Sequence, residues 1–411
     1  MGAERGQKVN RSWKVAIASL LVLVLLVPLS WGCGGGGGKG AVTITIGELQ
    51  DLTGPSAPAC IPMHQDMVDL VRYYNDEGLI PGAKLRLVSY DTRTDTARYA
   101  LGYDWVKQKG ADLILAAVTG SAETIRPFAE RDRIPIATVA YSEAAVEPPG
   151  WVFAFCAPFK PQVKTLLEWL SENHWDYTQG IPKLGHYDWV MPVGLEIEAG
   201  IKEYCQDHPD EFDYVGSFMA PLGSMSCAGE VEKLKDCDYV YGIMFQGSVI
   251  MKGFYAKGYH TQFIADSASF GFYKFMVQSV GWENLDGYIT TMTAPFWDEE
   301  NAAVAFIKEV ISRYHPGKSP EDMDGAYHGA FFLLYSMFEI VRQAVEKVGA
   351  ENFDGQAFCD EAVKYSLQYE GFPQCYFTDT VRYLVHQCAI HKWSAASEGL
   401  IRLTDWLPFT E

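Results

Sequence analysis

The stretch ADLILAAVTGSAETIRPFAERDRIPIATV, residues 111–139, decides the fold. Leu113–Val118 is an apolar run of the fully buried strand type. Ala122–Arg131 spaces its apolar residues as a helix does, and Ile134–Val139 returns to strand. Strand, helix and strand in immediate succession make one unit of a parallel sheet covered by helices. The same alternation extends upstream, where Thr43–Leu49 and Leu85–Asp91 read as strands, and Met63–Asn75 and Thr96–Gln108 as helices. Downstream, a second series begins near Pro161. It runs helix to Asn173, strand Leu184–Tyr187, helix Leu195–Gln206, strand Tyr214–Phe218 and helix Gly229–Lys235. Strand Tyr239–Phe245, helix Val249–Lys257 and strand Gln262–Ala265 complete it. The expected fold is α/β: two doubly wound parallel-sheet lobes with a ligand cleft between them, because strand ends at such a cleft are where these sheets bind ligands.

The N-terminus speaks to the compartment. Arg5, Lys8, Arg11 and Lys14 precede an apolar run from Val15 to Leu29, then Ser30-Trp31-Gly32-Cys33. A basic head, a short apolar core and a small residue before the cut describe a secretory signal peptide over residues 1–32. The run is shorter than the about 20 residues that a spanning helix needs. Cys33, flanked by Gly32 and by Gly34–Gly38, matches a lipoprotein processing site and is the expected point of lipid attachment. Residues 33–40 then form a Gly-rich tether reaching about 15 Å. The expected location is extracytoplasmic, with contact to the membrane through the N-terminal lipid alone.

Charge excludes one class of partner. The chain has 33 basic and 52 acidic residues; without the four bases and one acid of residues 1–32, 29 face 51, a formal charge of −22. Such a surface repels nucleic acid. Eight cysteines follow Cys33 and none forms a Cys-x-x-Cys pair, which argues against a zinc site and leaves disulfides or buried thiols. Neither Gly-x-Ser-x-Gly nor His-Glu-x-x-His occurs, and Gly317-Lys318-Ser319 lacks the first glycine of a phosphate loop, with Ser312 in its place. No enzyme, metal or cofactor is expected.

Ile46-Gly47, Leu52-Thr53-Gly54-Pro55, Asn75-Asp76-Glu77-Gly78 and Pro81-Gly82 follow one another in order, with Asp91 and Arg133-Ile134-Pro135-Ile136 beyond. This ordered set resembles the leucine/isoleucine/valine-binding protein family, the type I periplasmic solute-binding proteins. The resemblance implies two lobes joined by three crossings near Ala157, Thr290 and Phe377. Lobe 1 is then 41–157 with 291–376, and lobe 2 is 158–290 with 377–411. It also implies a monomer that captures a small-molecule ligand and passes it to an ABC permease. The ligand expected on this basis is a small amphipathic carboxylate, such as a branched-chain or other apolar amino acid. A sensing module for a membrane receptor, or a binder of an aromatic acid or amide, are the alternatives.

Position by position, the family pattern assigns Ser121 to the ligand's carboxylate, at a helix start whose free N–H groups suit an anion. Ala140 offers backbone and Ser142 a hydroxyl to the same head. Across the cleft, Trp189 stands where the family has an aromatic, Gln246 lies near another, and Tyr327 matches a further one. Asp266 or Ser267 falls where a family acid pairs with an amino group; strict alignment favours Ser267. The lobe 1 aromatic is replaced by Ala59, beside Cys60.

Overall fold

The computed structural model describes residues 41–323 and 325–410. The expected signal peptide, tether and Cys33 lie outside them. Strands β1 (Val42–Gln50), β2 (Ala83–Asp91), β3 (Leu113–Ala116), β4 (Ile136–Thr138) and β5 (Val152–Ala154) form the first sheet, all parallel, in the order β2-β1-β3-β4-β5. Strands β6 (Lys183–Trp189), β7 (Asp213–Ala220), β8 (Tyr239–Tyr241), β9 (Gln262–Ala265) and β10 (Ile289–Met292) repeat that order as β7-β6-β8-β9-β10. In each lobe the order reverses beside the first strand, so the crevice for a ligand opens between β1 and β3 and between β6 and β8.

Both sheets follow from their sequence. β3 reads Leu-Ile-Leu-Ala, and all four residues are buried, because helices cover both faces of a parallel sheet. Helix Phe159–Asn173 buries Val163, Leu166, Leu167 and Leu170, the spacing that lays one apolar stripe against a sheet. The sequence expectation of an α/β fold with two doubly wound sheets therefore holds. Two cores result. Ile46, Leu113 and Phe331 belong to the first, and Leu184, Val240 and Trp393 to the second.

Some boundaries differ from the sequence reading. Tyr239–Phe245 was expected as strand throughout, but β8 stops at Tyr241 and a helix runs Met244–Lys257. Gly242 is the cause: its backbone packs against Gly247, where an added Cβ would meet Gly242 O at 2.4 Å. The chain turns there and Gln246 falls in a first helical turn.

The chain leaves the first core at Ala157 and enters the second at Phe159; it returns between Met292 and Ala303. It passes over a third time between Val385 and Ile390, downstream of Phe377. Phe377 stays with the first core because its ring meets Phe153 and Phe155 edge-on at 5.4 and 5.1 Å. Such pairs contribute about 0.5–1.5 kcal/mol each beyond area burial. Leu384 N–H also bonds Ala154 O at 2.8 Å. Only then do strands β13 (Gln387–Ser394) and β14 (Gly399–Arg402) extend the second sheet, β13 antiparallel to β10 and β14 antiparallel to β13. The tail strands β11 (Ser366–Leu367), β12 (Cys375–Tyr376) and β15 (Leu407–Pro408) are two residues each.

All eight described cysteines are free, and six are buried. Burial pushes the Cys60 thiol up to about 12 and those of Cys227 and Cys237 to about 11, so none of these three is a ready thiolate. Thiol labelling should therefore be slow in the native protein and complete in denaturant, and reductant should leave the melting temperature unchanged. A reductant-induced fall of several degrees would mean that disulfides form.

Candidate functional site

A cavity of about 170 Å³ lies between the lobes. A cavity of roughly 150 Å³ suffices for benzene, so the space fits a ligand body of similar or slightly larger size. From the first lobe it is walled by Ala59, Cys60 and Met63 of helix Ala57–Glu77, by Ala117–Thr119 after β3, and by Val139 and Ala140 after β4. The start of helix Gly325–Val348 closes the far side with Gly325, Ala326, Gly329 and Ala330. The second lobe contributes Phe159, Gln162, Met191 and Val193, and the two-turn 3-10 segment Ser267–Phe272.

Segment Ser267–Phe272 reaches across to the first lobe. Gly271 lies so near that an added Cβ would stand 3.8 Å from Ala59 Cβ and 4.0 Å from Ala326 Cβ. Phe270 is buried, with its ring over Gly329 and its carbonyl against Gly325. The lobes thus meet through small residues on one side and one aromatic on the other.

Among the described residues, no charged side chain lines the cavity. Its polar side chains are Ser56, Thr119, Gln162, Ser267 and Thr293. Gln162 is committed: Oε1 accepts from Thr291 Oγ1 at 3.0 Å and Ser267 N–H at 3.4 Å, and Nε2 donates to Pro158 O at 3.3 Å. Thr119 Oγ1 is buried without a partner.

The residues singled out by sequence fall into three groups. Ala140 lines the cavity, as does Ser267, the alternative to Asp266. Ser121 opens helix Ser121–Asp132 behind Gly120, whose φ of 80° makes the turn that only glycine adopts freely. The Ser121 hydroxyl donates back to Val118 O, and Ser142 gives both its N–H and its hydroxyl to Glu123 Oε1, each at 2.7 Å. Trp189, Gln246, Asp266 and Tyr327 are buried just outside the lining.

Those four have their own partners. Trp189 Nε1 donates to Ser224 O at 3.2 Å, and its ring meets Phe245 at 5.2 Å. Gln246 Nε2 donates to Asp188 Oδ1 at 2.8 Å. Tyr327 OH donates to Asp69 Oδ2 at 3.0 Å. Asp266 accepts from Tyr241 OH at 3.1 Å and Ala268 N–H at 2.9 Å, and burial pushes its carboxyl up to about 7. Sequence reasoning did not find Met63, Met191, Phe270 or the Gly325/Gly329 pair. The signal for the last was present: two glycines four apart on one helix mark a close approach.

Two doubly wound lobes enclosing a largely apolar cavity define a two-lobed solute-binding protein. A family model described as periplasmic binding protein matches residues 43–398, and the chain belongs to that family, the substrate-binding components of ABC transporters. The family acts outside the cytoplasm, binds small molecules, works with an ABC permease, and is not an enzyme class. No curated protein matches the chain by sequence.

Several solved structures are similar. A branched chain amino acid ABC transporter protein from Thermus thermophilus, with bound valine, aligns at a TM-score of 0.78 and 15% identity, over 90% of this chain and 97% of that one. A fatty acid ABC transporter substrate-binding protein from Thermomonospora curvata aligns at 0.75 and 14%, over 90% and 94%. A solute binding protein from Rhodopseudomonas palustris BisB5, in complex with 3,4-dihydroxy benzoic acid, aligns at 0.73 and 15%, over 90% and 98%. At such identities the likeness speaks for the fold.

Proposed function

We propose that this protein captures a small, predominantly apolar molecule between its two lobes and delivers it to an ABC importer. The observation that carries this reading is the cavity itself, walled by both lobes with alanines, glycines, methionines and phenylalanines and, among the described residues, without a charged side chain. Apolar walls supply binding through burial, at about 25 cal/mol per Å² of apolar surface removed from water. The few hydroxyls orient one polar group. Because both lobes touch the ligand, binding favours their approach.

A panel of small acids, amides, alcohols and amino acids tested by thermal shift identifies the class. At a concentration 100 times its dissociation constant, a true ligand adds about 2.7 kcal/mol of stability, so the melting temperature should rise by several degrees. Solution scattering should then show a radius of gyration no larger than that of the free protein. If strongly charged, hydrophilic compounds bind and apolar ones do not, the reading fails. Lipid attachment at Cys33 belongs to the same proposal: labelled fatty acid should be incorporated in a bacterial host and lost in Cys33→Ala.

A further inference from the structure

We infer that the cavity selects uncharged ligands and turns away carboxylates, and that Glu123 is the side chain that sets this selectivity. The inference rests on the cavity being the ligand site. It departs from the expectation that Ser121, Ala140 and Ser142 hold the ligand's carboxylate.

The donors that such a carboxylate needs are already taken. Ser142 presents its backbone N–H and its hydroxyl to one acceptor, Glu123 Oε1, at 2.7 Å each, and the Ser121 hydroxyl is turned back to Val118 O. Glu123 lies in the first turn of helix Ser121–Asp132, where the helix dipole and the unbonded N–H groups favour a negative charge. A carboxyl group of the protein itself thus takes the Ser142 donors that the ligand's carboxylate would need, two residues beyond cavity-lining Ala140.

Nothing nearby offsets a second anion. Glu123 Oε2 is buried without a hydrogen-bond partner, and among the described residues no Lys, Arg or His forms an ion pair with Glu123. Arg126, one turn on, is engaged by Glu130 Oε1 at 2.9 Å and by the carbonyls of Ala144 and Glu147 at 3.0 and 2.7 Å. Across the cleft stands another acid: Glu196 accepts from Glu143 N–H at 3.2 Å. Lys160 is held by Glu203 at 2.8 Å and lies 3.7 Å from Glu143. Like charges brought together in a poorly solvated site repel strongly. By contrast, Thr119 Oγ1, buried and unpartnered, and the hydroxyls of Ser267 and Thr293 suit the head of a neutral amide, ester or alcohol.

Calorimetry at pH 7.5 with matched pairs tests this: phenylacetamide against phenylacetate, and 4-methylpentanamide against 4-methylpentanoate. The unmodified protein should bind an amide at least tenfold more tightly than its acid. Glu123→Gln, which keeps an acceptor for Ser142 and removes the charge, should narrow that ratio by tenfold or more, and Glu123→Asp should preserve it. An acid that binds the unmodified protein as tightly as its amide overturns the selectivity and leaves the apolar-ligand reading standing. A ratio unchanged in Glu123→Gln overturns the role of Glu123. If neither member of either pair binds and only hydrophilic compounds do, the reading of the cavity itself falls, and the inference with it. The ratio in the unmodified protein decides the selectivity even if a variant fails to fold, and either Glu123 variant that folds decides the role of Glu123.

Discussion

Replacing Gly325 with valine should force the lobes apart. At Gly325 an added Cβ would stand 2.1 Å from Phe270 O and 2.9 Å from Tyr273 Cβ, far inside contact distance. The obstacle is backbone, so no side-chain rotation relieves it. Yet the clash exists only where segment Ser267–Phe272 of one lobe lies against helix Gly325–Val348 of the other. The chain has an inexpensive escape, which is to separate them. Overpacking of a tight contact costs typically about 1–3 kcal/mol. Apparent affinity falls in proportion to the fraction of molecules in the binding-competent form, so ligand binding should weaken roughly tenfold to a hundredfold. Scattering should show a larger radius of gyration in the variant, while the secondary structure measured by circular dichroism stays unchanged. Compact scattering together with unweakened binding would show that this contact plays no part in closure.

The second large effect concerns pH. Asp266 is fully buried at the end of β9, and desolvation raises its carboxyl from 3.8 to about 7, with Asp188 adding to the rise; the hydrogen bonds from Ala268 N–H and Tyr241 OH offset it in part. A raised folded-state pKa means that the native protein holds a proton which the unfolded chain has already released. The stabilising contribution is thus complete below pH 3.8 and is lost as pH climbs toward 7. Above that, the native state carries a buried carboxylate, and the accumulated loss is on the order of 4 kcal/mol.

Asp266→Asn removes the ionisation. It keeps an acceptor for Ala268 N–H and presents an amide donor to the Tyr241 oxygen, which can accept. Urea unfolding at pH 5, 6, 7 and 8 should show the variant gaining on the unmodified protein as pH rises, by about 2–3 kcal/mol across the range. Parallel pH profiles for the two proteins would contradict the raised carboxyl.

The sheets were legible because a parallel strand buried on both faces leaves an unbroken apolar run, as at Leu113–Val118. The three residues of β5 were not, since so short a run has no period to read. Nor was the turn at Gly242, where apolar residues continue from strand into helix and the pattern alone does not mark the change. Within the site, Ala140 was legible because it ends a strand where ligands bind. The pairing of Ser142 with Glu123 was not: the two lie 19 positions apart, and the bond exists only after β4 is laid beside β3. The cavity was harder still, because an empty space is made by side chains that stop short, and alanines and glycines scattered over separate elements carry no common motif.

The late third passage of the chain has a practical consequence. Val42 begins β1 in the first sheet, at the strand end away from the ligand crevice, whereas Thr410 N–H is bonded to Thr165 Oγ1 of the second lobe at 2.9 Å. Val42 thus belongs to the first lobe, while Thr410 is bonded to helix Phe159–Asn173 of the second and its neighbour Phe409 packs against the first core. A donor fluorophore attached near residue 42 and an acceptor near residue 410 would convert lobe motion into energy transfer, making the protein its own optical gauge of occupancy without a label in the cavity.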